Sequence, residues 1–257
     1  MSLVPAALLL ALACTHEPVV RSADAYHEAL TTDGGYGVSA AACARLPTPR
    51  VRGDCLVASM ERWESLDPAL CAGLEDALWA DECRFQLAER QRAAGDLAAG
   101  LATCEQTRFR RSCAWHLVQD EAEAAADDDL PTAEVRIPAL ATSRAVPDAP
   151  LQFWLIRFRE GSARGQVLDE AACDALVDVR SCEQAVWAWV RAMLDELGKR
   201  DPARLCARPL GDRVHNVDGE PAWRAGPIAV EAEQRWVHER CGAEAQPPPM
   251  RRHGSRP

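Results

Sequence analysis

The cysteines constrain this chain more than any other feature of its sequence. Eleven are present, and eight of them form successive pairs around short polar segments between helical stretches: Cys43 and Cys55, Cys71 and Cys83, Cys104 and Cys113, and Cys173 and Cys182. A disulfide within each pair would join two neighbouring helices at their turn. Cys206 has no nearby partner, and Cys241 is the one that remains, so we expect these two to pair.

The residues next to the second cysteine of each pair predict how the helices are arranged. They are Asp54, Glu82 after Asp81, Ser112 and Ser181. Aspartate and serine favour N-cap positions, because their side-chain oxygens accept hydrogen bonds from the unpaired amides of the first helical turn. The first cysteine of a pair is therefore predicted near the end of one helix, and the second at the start of the next.

Composition and the spacing of the pairs predict an all-α fold. Alanine and leucine are frequent and β-branched residues are few, which favours helix over sheet. The pairs of the first block recur about every 30 residues, a period typical of arrays of helix pairs. We therefore expect an array of disulfide-stapled helical hairpins, either a solenoid-like stack or an irregular helical bundle.

One helix-turn-helix segment is explicit in the sequence. The stretch AERQRAAGDLAAGLATC contains Gly95 as a helix breaker and Asp96 as an N-cap. It resembles the turn of a tetratricopeptide-like repeat. The resemblance covers residues 39–125 and, less clearly, residues 150–241. It implies stacked helix pairs that present a concave surface to a partner.

The N-terminus predicts export. The apolar run in MSLVPAALLLALAC is too short to span a membrane and ends in Ala11-Leu12-Ala13-Cys14. It resembles a bacterial lipoprotein signal with its lipobox, which implies that Cys14 is lipidated and anchors the protein in the cell envelope, facing the periplasm or the exterior. Without Cys14 an even number of cysteines remains for bridges. Ordinary secretion is the alternative, since Ala11-Leu12-Ala13 also fits an A-x-A cleavage site. Either route leads to a compartment where disulfides persist.

The domain organisation follows from these segments. The predicted order is a signal peptide (1–13), a tether (14–38), a first block of helical repeats (39–125), an acidic and proline-rich linker (126–149), a second block (150–241) and a disordered tail (242–257).

The sequence lacks the common catalytic and cofactor-binding motifs. G-x-S-x-G, H-E-x-x-H, C-x-x-C-H and phosphate-binding loops do not occur, so we expect no cofactor. His116 with Cys113, and His238 with Cys241, have a helical spacing that suits zinc, but the cysteines are assigned to disulfides and no metal site is expected. The net charge of −10 argues against binding to nucleic acid.

A secreted hydrolase that acts on an envelope or extracellular polymer is the alternative function. His27 with Glu28, or His215 with Asp212 and Asp218, could form acid–base pairs. A hydrolase would need a deep pocket in which His116, His215 or His238 meets carboxylates. No pattern in the sequence selects such a pocket, and a non-catalytic protein is the preferred prediction.

Tryptophans supply the candidate binding residues. The segment FWLIRFR combines Trp154 with arginine, and such combinations are enriched at binding surfaces. Trp187 and Trp189 are two positions apart and point about 200° apart around a helix, so only one can face the core. The outward one is the candidate contact residue. We therefore expect an envelope-anchored scaffold that binds an unknown protein or peptide, touches the membrane through its lipid only, and binds no nucleic acid.

Overall fold

The described part of the chain consists of helices joined by turns and loops. The structure is a computed structural model, and it describes residues 23–209, 213–224 and 226–242. Within these ranges the β-type pairing is limited to isolated bridges, Leu168 with Trp223 and His215 with Pro221. The predicted all-α fold is confirmed. The predicted signal peptide, Cys14 and the tail beyond Gly242 lie outside the described residues.

The chain divides into two compact units, Met1–Cys113 and Ala114–Pro257. The first unit contains α1 (residues 23–31), α2 (Tyr36–Cys43), α3 (Pro49–Arg62), α4 (Pro68–Ala72), α5 (Ala77–Ala93) and α6 (Leu97–Cys104). The unit boundary falls inside α7 (Arg110–Ala124). The second unit continues with α8 (Leu130–Glu134), α9 (Ile137–Leu140), α10 (Ala149–Ala163), a 3₁₀ helix (Glu170–Ala175), α11 (Val179–Gly198), α12 (Pro202–Cys206) and α13 (Pro227–Cys241).

Several helices begin earlier than the sequence analysis predicts, which corrects the N-cap assignments. α3, α5 and α11 are capped by Thr48, Asp76 and Asp178, whose side-chain oxygens accept hydrogen bonds from amides of the first turn. Asp54 and Ser181 therefore lie inside helices. An N-cap residue has a non-helical backbone conformation. Thr48 and Asp76, which precede α3 and α5, are both extended and meet this requirement.

Asp81 has a different role from the cap that the sequence suggests. It lies within α5 with only 4 % of its surface exposed. Its carboxylate accepts hydrogen bonds from Arg84 at 3.3 Å and from Arg108 at 2.5 Å. Two arginines thus compensate the burial of this charge, which would be costly if it were unpaired.

Two further helices begin at an Asp-Pro sequence. Asp67 and Asp201 are the N-caps of α4 and α12 and accept hydrogen bonds from the amides of Ala69 and Arg204. Gly95 follows α5 with a positive φ of 88°, which is accessible to glycine at no steric cost. The next residue then caps α6.

Disulfides join the five pairs that the sequence predicts, with Cα–Cα distances from 5.4 to 5.8 Å. These distances are normal for disulfides. All five bridges link successive helices; four close the short turn between them, whereas Cys206 and Cys241 link the C-terminal ends of α12 and α13. This set of bridges indicates an oxidising environment outside the cytoplasm. Among the described residues, no helix is both long and apolar enough to cross a membrane.

The disulfides of the first unit lie inside its core. Cys71 and Cys83 pack with Val57, Met60 and Leu74. A neighbouring cluster is formed by Ala29, Cys43, Leu46 and Cys55. α5 packs against α3, α4 and α6, and α2 packs against α3. The sulfur bridges therefore replace part of the aliphatic core in addition to closing turns.

In the second unit, α11 is the central helix and packs against α10, α12, α13 and the 3₁₀ helix. Its buried stripe contains Val186, Trp189, Val190 and Leu194. Residues 126–149, which the sequence analysis assigns to a linker, hold α8 and α9, and their buried apolar side chains include Leu130, Ala133, Ile137 and Leu140. This segment forms one wall of the site described next.

Candidate functional site

A cavity of about 230 Å³ opens in the second unit beside α10. Its walls come from the start of α8, from one side of α10, and from the segment that leads into the 3₁₀ helix. The lining residues are Asp129, Leu130, Arg157, Phe158, Gly161, Ser162, Gln166, Val167, Leu168, Asp169 and Ala172. The cavity thus combines apolar walls with one cationic side chain and two carboxylates.

Arg157 is the buried cation of this cavity, with 7 % of its surface exposed. Its Nε donates a hydrogen bond to the backbone oxygen of Ala125 at 3.1 Å, and its Nη2 donates to the backbone oxygen of Asp128. Both oxygens belong to the turn that follows α7. The guanidinium carbon also lies 5.8 Å from the ring centre of Trp154 and 5.9 Å from that of Phe158.

Helix geometry explains why these groups meet. In FWLIRFR, Trp154 precedes Arg157 by three residues and Phe158 by four, and residues at these spacings share one side of a helix. The two rings shield the guanidinium from water, and their faces attract a cation. Burial lowers the pKa of Arg157, while the nearby carboxylates of Asp128 and Asp129 oppose that shift. Arginine remains protonated in proteins, so the cavity contains a positive charge.

The guanidinium has donor capacity left. Its two observed hydrogen bonds use Nε and Nη2, and within the described ranges Nη1 has no hydrogen-bond partner. No carboxylate of the described chain lies within ion-pair distance of it. The hydroxyl of Ser162, a residue with 8 % exposure, also lines the cavity and makes no side-chain hydrogen bond to a described residue. Two residues with available donor groups, Arg157 and Ser162, therefore line this space.

The carboxylates around the cavity already have structural partners. Asp127 pairs with Arg164, and Asp128 pairs with Arg136 at 3.0 Å. Asp169 caps the 3₁₀ helix and lies 3.0 Å from Arg224. None of these pairs includes a histidine.

Asp129 caps α8 by accepting a hydrogen bond from the amide of Thr132 at 2.8 Å. Hydrogen bonds from Thr132 lower the pKa of the Asp129 carboxyl. A general base or acid for neutral pH would need the opposite shift, toward 7. Asp129 is therefore a fixed negative charge at neutral pH, suited to attract a cation and unsuited to proton transfer.

The three predicted binding tryptophans have different environments. Trp154 is fully buried and Trp189 is 3 % exposed. Both belong to an aromatic series in the core, with Trp154 near Phe158, Phe158 near Trp189, and Trp189 near Trp223 at 5.7 Å between ring centres. Trp187 is the partly exposed member, and the guanidinium of Arg191 lies 5.4 Å from its ring centre. Of the two tryptophans on α11, Trp187 is thus the outward one.

The histidines within the described ranges do not line the cavity beside Arg157. His116 lies on α7 and its Nε2 is 3.7 Å from a carboxylate oxygen of Asp120, one helical turn away. His27, His215 and His238 are exposed. Asp212, one of the predicted partners of His215, lies outside the described residues. No arrangement of histidine with carboxylates at this cavity favours the hydrolase alternative.

The segment FWLIRFR, in which the sequence analysis names Trp154 as a candidate binding residue, contributes Arg157 and Phe158 to the cavity lining, whereas Trp154 is not among the lining residues. The side chain that gives the cavity its positive charge is Arg157. An arginine on the same side of a helix as two aromatic residues was the available signal. Its contacts with Ala125 and Asp128 could not be inferred, because about 30 residues of sequence separate the partners.

Comparison with known proteins assigns no relative to this chain. No protein-family model matches it, and neither a curated protein nor a solved structure is significantly similar to it.

Proposed function

We propose that the protein is a non-catalytic scaffold of the bacterial cell envelope, anchored through a lipid on Cys14, that binds a peptide or a partner protein. The observation that supports this function best is the composition of the Arg157 cavity. Its unused polar groups are hydrogen-bond donors, and its carboxylates are engaged in caps and ion pairs. Such a site can hold a ligand but offers no general base for hydrolysis.

The disulfides support a binding role in an exported protein. The bridge between Cys173 and Cys182 fixes the 3₁₀ helix, which forms part of the cavity wall, to α11, so this part of the wall is held with little conformational freedom. A preorganised site loses less entropy when its ligand binds. Export into an oxidising compartment also agrees with the lipobox-like end of the signal sequence at Cys14.

Trp187 is the proposed second contact point. A partly exposed tryptophan with an arginine held against its ring presents two of the residue types that are enriched in binding hot spots. Arg191 is itself held by an ion pair with Glu239 of α13. The pair is therefore fixed on the surface of α11 before any partner binds.

Site-directed photocrosslinking in intact cells tests the binding function. A benzophenone amino acid replaces Gln166, which is exposed and lines the cavity, and in a second variant replaces Lys199, an exposed residue at the end of α11. We expect the Gln166 variant to form a discrete crosslinked species that the Lys199 variant lacks. Equal crosslinking from both sites, or none from either site, would count against a scaffold that binds through this cavity.

Anchoring is tested separately by membrane fractionation. We expect the wild-type chain to incorporate labelled palmitate and to sediment with membranes. Cys14→Ser should abolish both. Secretion of an unlabelled wild-type chain would establish ordinary export and exclude the lipid anchor.

A further inference from the structure

We infer that the Arg157 cavity binds the α-carboxylate of the last residue of a peptide, and that this residue has an apolar side chain. The inference deepens the proposed function and rests on it, because it assumes that the ligand is a peptide. The buried guanidinium of Arg157 binds the terminal carboxylate, and the apolar walls contact the last side chain. The acidic side chain at the cavity rim attracts the part of the peptide that lies outside the cavity.

The electrostatic state of Arg157 favours a carboxylate. Two uncharged backbone oxygens hold it, and no carboxylate of the described residues lies within ion-pair distance, while Asp127, Asp128 and Asp129 act on its charge from farther away. The guanidinium has already lost most of its water, since only 7 % of the residue is exposed. An incoming carboxylate therefore meets a dehydrated cation, and charge-assisted hydrogen bonds are the strongest of their kind. Nη1 of Arg157 and the hydroxyl of Ser162 are the available donors.

The walls of the cavity determine which side chain the last residue of the ligand can have. Leu130 and Phe158 are buried, and Val167, Leu168 and Ala172 complete an apolar surface. The volume of about 230 Å³ is below the range of about 300–1,000 Å³ that is usual for sites of drug-sized ligands. One amino-acid residue of moderate size fits this space, and a longer ligand must continue outside it.

The acidic side chain at the cavity rim favours a particular sequence before the last residue. Asp129 is exposed, whereas Asp169 is held in its ion pair with Arg224. The carboxylate of Asp129 beside the cavity repels a ligand with a second negative charge near its terminus. It attracts lysine or arginine one or two residues before the end. The expected ligand therefore ends in a basic residue followed closely by leucine, valine or a similar apolar residue.

A free apolar amino acid presents the same carboxylate and side chain as the end of a peptide. The test must therefore distinguish a peptide ligand from a free amino acid. Isothermal titration calorimetry uses the oxidised full-length chain and four probes: Gly-Lys-Gly-Leu with a free carboxylate, the same peptide as its C-terminal amide, Gly-Glu-Gly-Leu, and free leucine. We expect the first peptide to bind at least about tenfold more tightly than the amide. We expect the glutamate peptide to bind more weakly than the lysine peptide.

Two matched variants test whether the peptide binds in the cavity. Ala172→Trp puts a large side chain into the wall, and Ala171→Trp puts the same side chain on the neighbouring exposed position. Neither change removes the contacts of Arg157, and circular dichroism verifies that both variants fold. We expect Ala172→Trp to weaken binding of the free-acid peptide at least about tenfold and Ala171→Trp to leave it within about twofold. Arg157→Gln is a further variant and should remove the preference for acid over amide.

The outcomes separate this inference from the proposed function. Equal binding of acid and amide, unaffected by Ala172→Trp, would overturn carboxylate capture and leave a peptide scaffold that uses another surface. Binding of leucine with no binding of either lysine peptide would establish the carboxylate site and overturn the peptide as its source. No binding of any probe, together with a crosslinked partner at Gln166, would retain the scaffold and overturn the terminal-residue ligand.

Discussion

Oε2 of Glu170 accepts a hydrogen bond from the backbone amide of Ala229 at 2.8 Å, across 59 residues of sequence. Oε1 of the same carboxylate accepts one from the amide of Ile228 at 3.0 Å. α13 begins at Pro227, and its N-cap residue, Gly226, provides no side-chain cap. Glu170 therefore supplies the cap from a distant part of the chain. Gly226 makes this approach feasible, because a Cβ atom there would lie 2.0 Å from Cδ of Glu170.

We expect Glu170→Ala to lower the free energy of unfolding by about 1–3 kcal/mol, because it leaves two amides without their acceptor. Glu170→Gln retains one acceptor oxygen and should cost less. Urea unfolding of the oxidised protein measures both changes. Glu231→Ala is the control on the same helix, since Glu231 forms only an exposed ion pair with Arg235 and should cost less than about 1 kcal/mol. Equal losses for Glu170→Ala and Glu231→Ala would show that the cap contributes nothing specific.

This cap also marks the limit of what could be predicted from the sequence. The cysteine pairs, the cap at Asp96, and the fact that only one of Trp187 and Trp189 faces the core are local features, which spacing along the chain determines. The caps at Thr48 and Asp76 were missed because several candidate residues stood before each helix, and periodicity alone does not choose among them. The element type was therefore predictable, whereas several boundaries were not.

The candidate site, like the Glu170 cap of α13, depends on contacts between residues that are distant in sequence. Arg157 meets Ala125, and Glu170 meets Ala229, only after the helices have packed. A glutamate that caps a distant helix has the same local sequence context as a glutamate in solvent. The sequence FWLIRFR shows that an arginine lies beside two aromatic residues. The burial of Arg157 and its unused donor are consequences of tertiary structure.

The two tyrosines of the chain give a direct measure of burial in the first unit. Burial raises the pKa of Tyr36, and burial together with Asp54 raises the pKa of Tyr26. Folding therefore favours the neutral phenols. The corresponding stability is fully present below pH 10, the ordinary pKa of tyrosine, and is lost as the pH rises through the higher pKa values of the folded state.

Absorbance of tyrosinate near 295 nm tests this prediction. We expect the midpoint of the folded protein to lie above 10, and the midpoint in concentrated urea to lie near 10. Tyr36→Phe leaves Tyr26 as the single reporter, and its midpoint should remain raised. A folded protein that titrates with the same midpoint as the unfolded chain would contradict the burial of both rings.

The bridge between Cys206 and Cys241 should contribute more stability than the bridge between Cys104 and Cys113. Their sequence separations are 35 and 9 residues. In the chain-entropy account, the longer loop gives about 3.8 kcal/mol and the shorter about 2.6 kcal/mol. Double Cys→Ser variants of each pair, compared by urea unfolding under oxidising conditions, measure the difference. A larger loss for the shorter loop would mean that native-state packing of the sulfurs, and not loop closure, dominates.

Gly53 of α3 is required by the close approach of α5. A Cβ atom at this position would lie 2.7 Å from Cδ1 and 2.8 Å from Cβ of Trp79. We expect Gly53→Ala to destabilise the protein by about 1–3 kcal/mol through overpacking. Gly73 is the matched control, because the nearest atoms to a Cβ there are at an ordinary 3.5 Å. Thermal unfolding should show a lower midpoint for Gly53→Ala and little change for Gly73→Ala, and similar shifts would contradict the tight contact.

Substitution of the two tryptophans of α11 should have different effects: Trp189→Ala should mainly lower stability, and Trp187→Ala should mainly weaken partner binding. Trp189 is 3 % exposed and contacts the ring of Trp223, so Trp189→Ala should lower the free energy of unfolding by about 3–5 kcal/mol. Trp187 is partly exposed beneath Arg191. Trp187→Ala should therefore cost clearly less stability than Trp189→Ala and should weaken the proposed partner complex about tenfold or more, as removal of a hot-spot residue does.

Urea unfolding and a binding titration with the partner that is crosslinked at Gln166 measure these two effects on the same proteins. Gln184→Ala is the control for loss of surface area alone, because Gln184 is an exposed residue on the same helix, about one turn before Trp187. Unchanged partner affinity in Trp187→Ala would restrict recognition to the Arg157 cavity. A loss of stability as large as that of Trp189→Ala would place the Trp187 ring in the core, and its role in binding would then have to be abandoned.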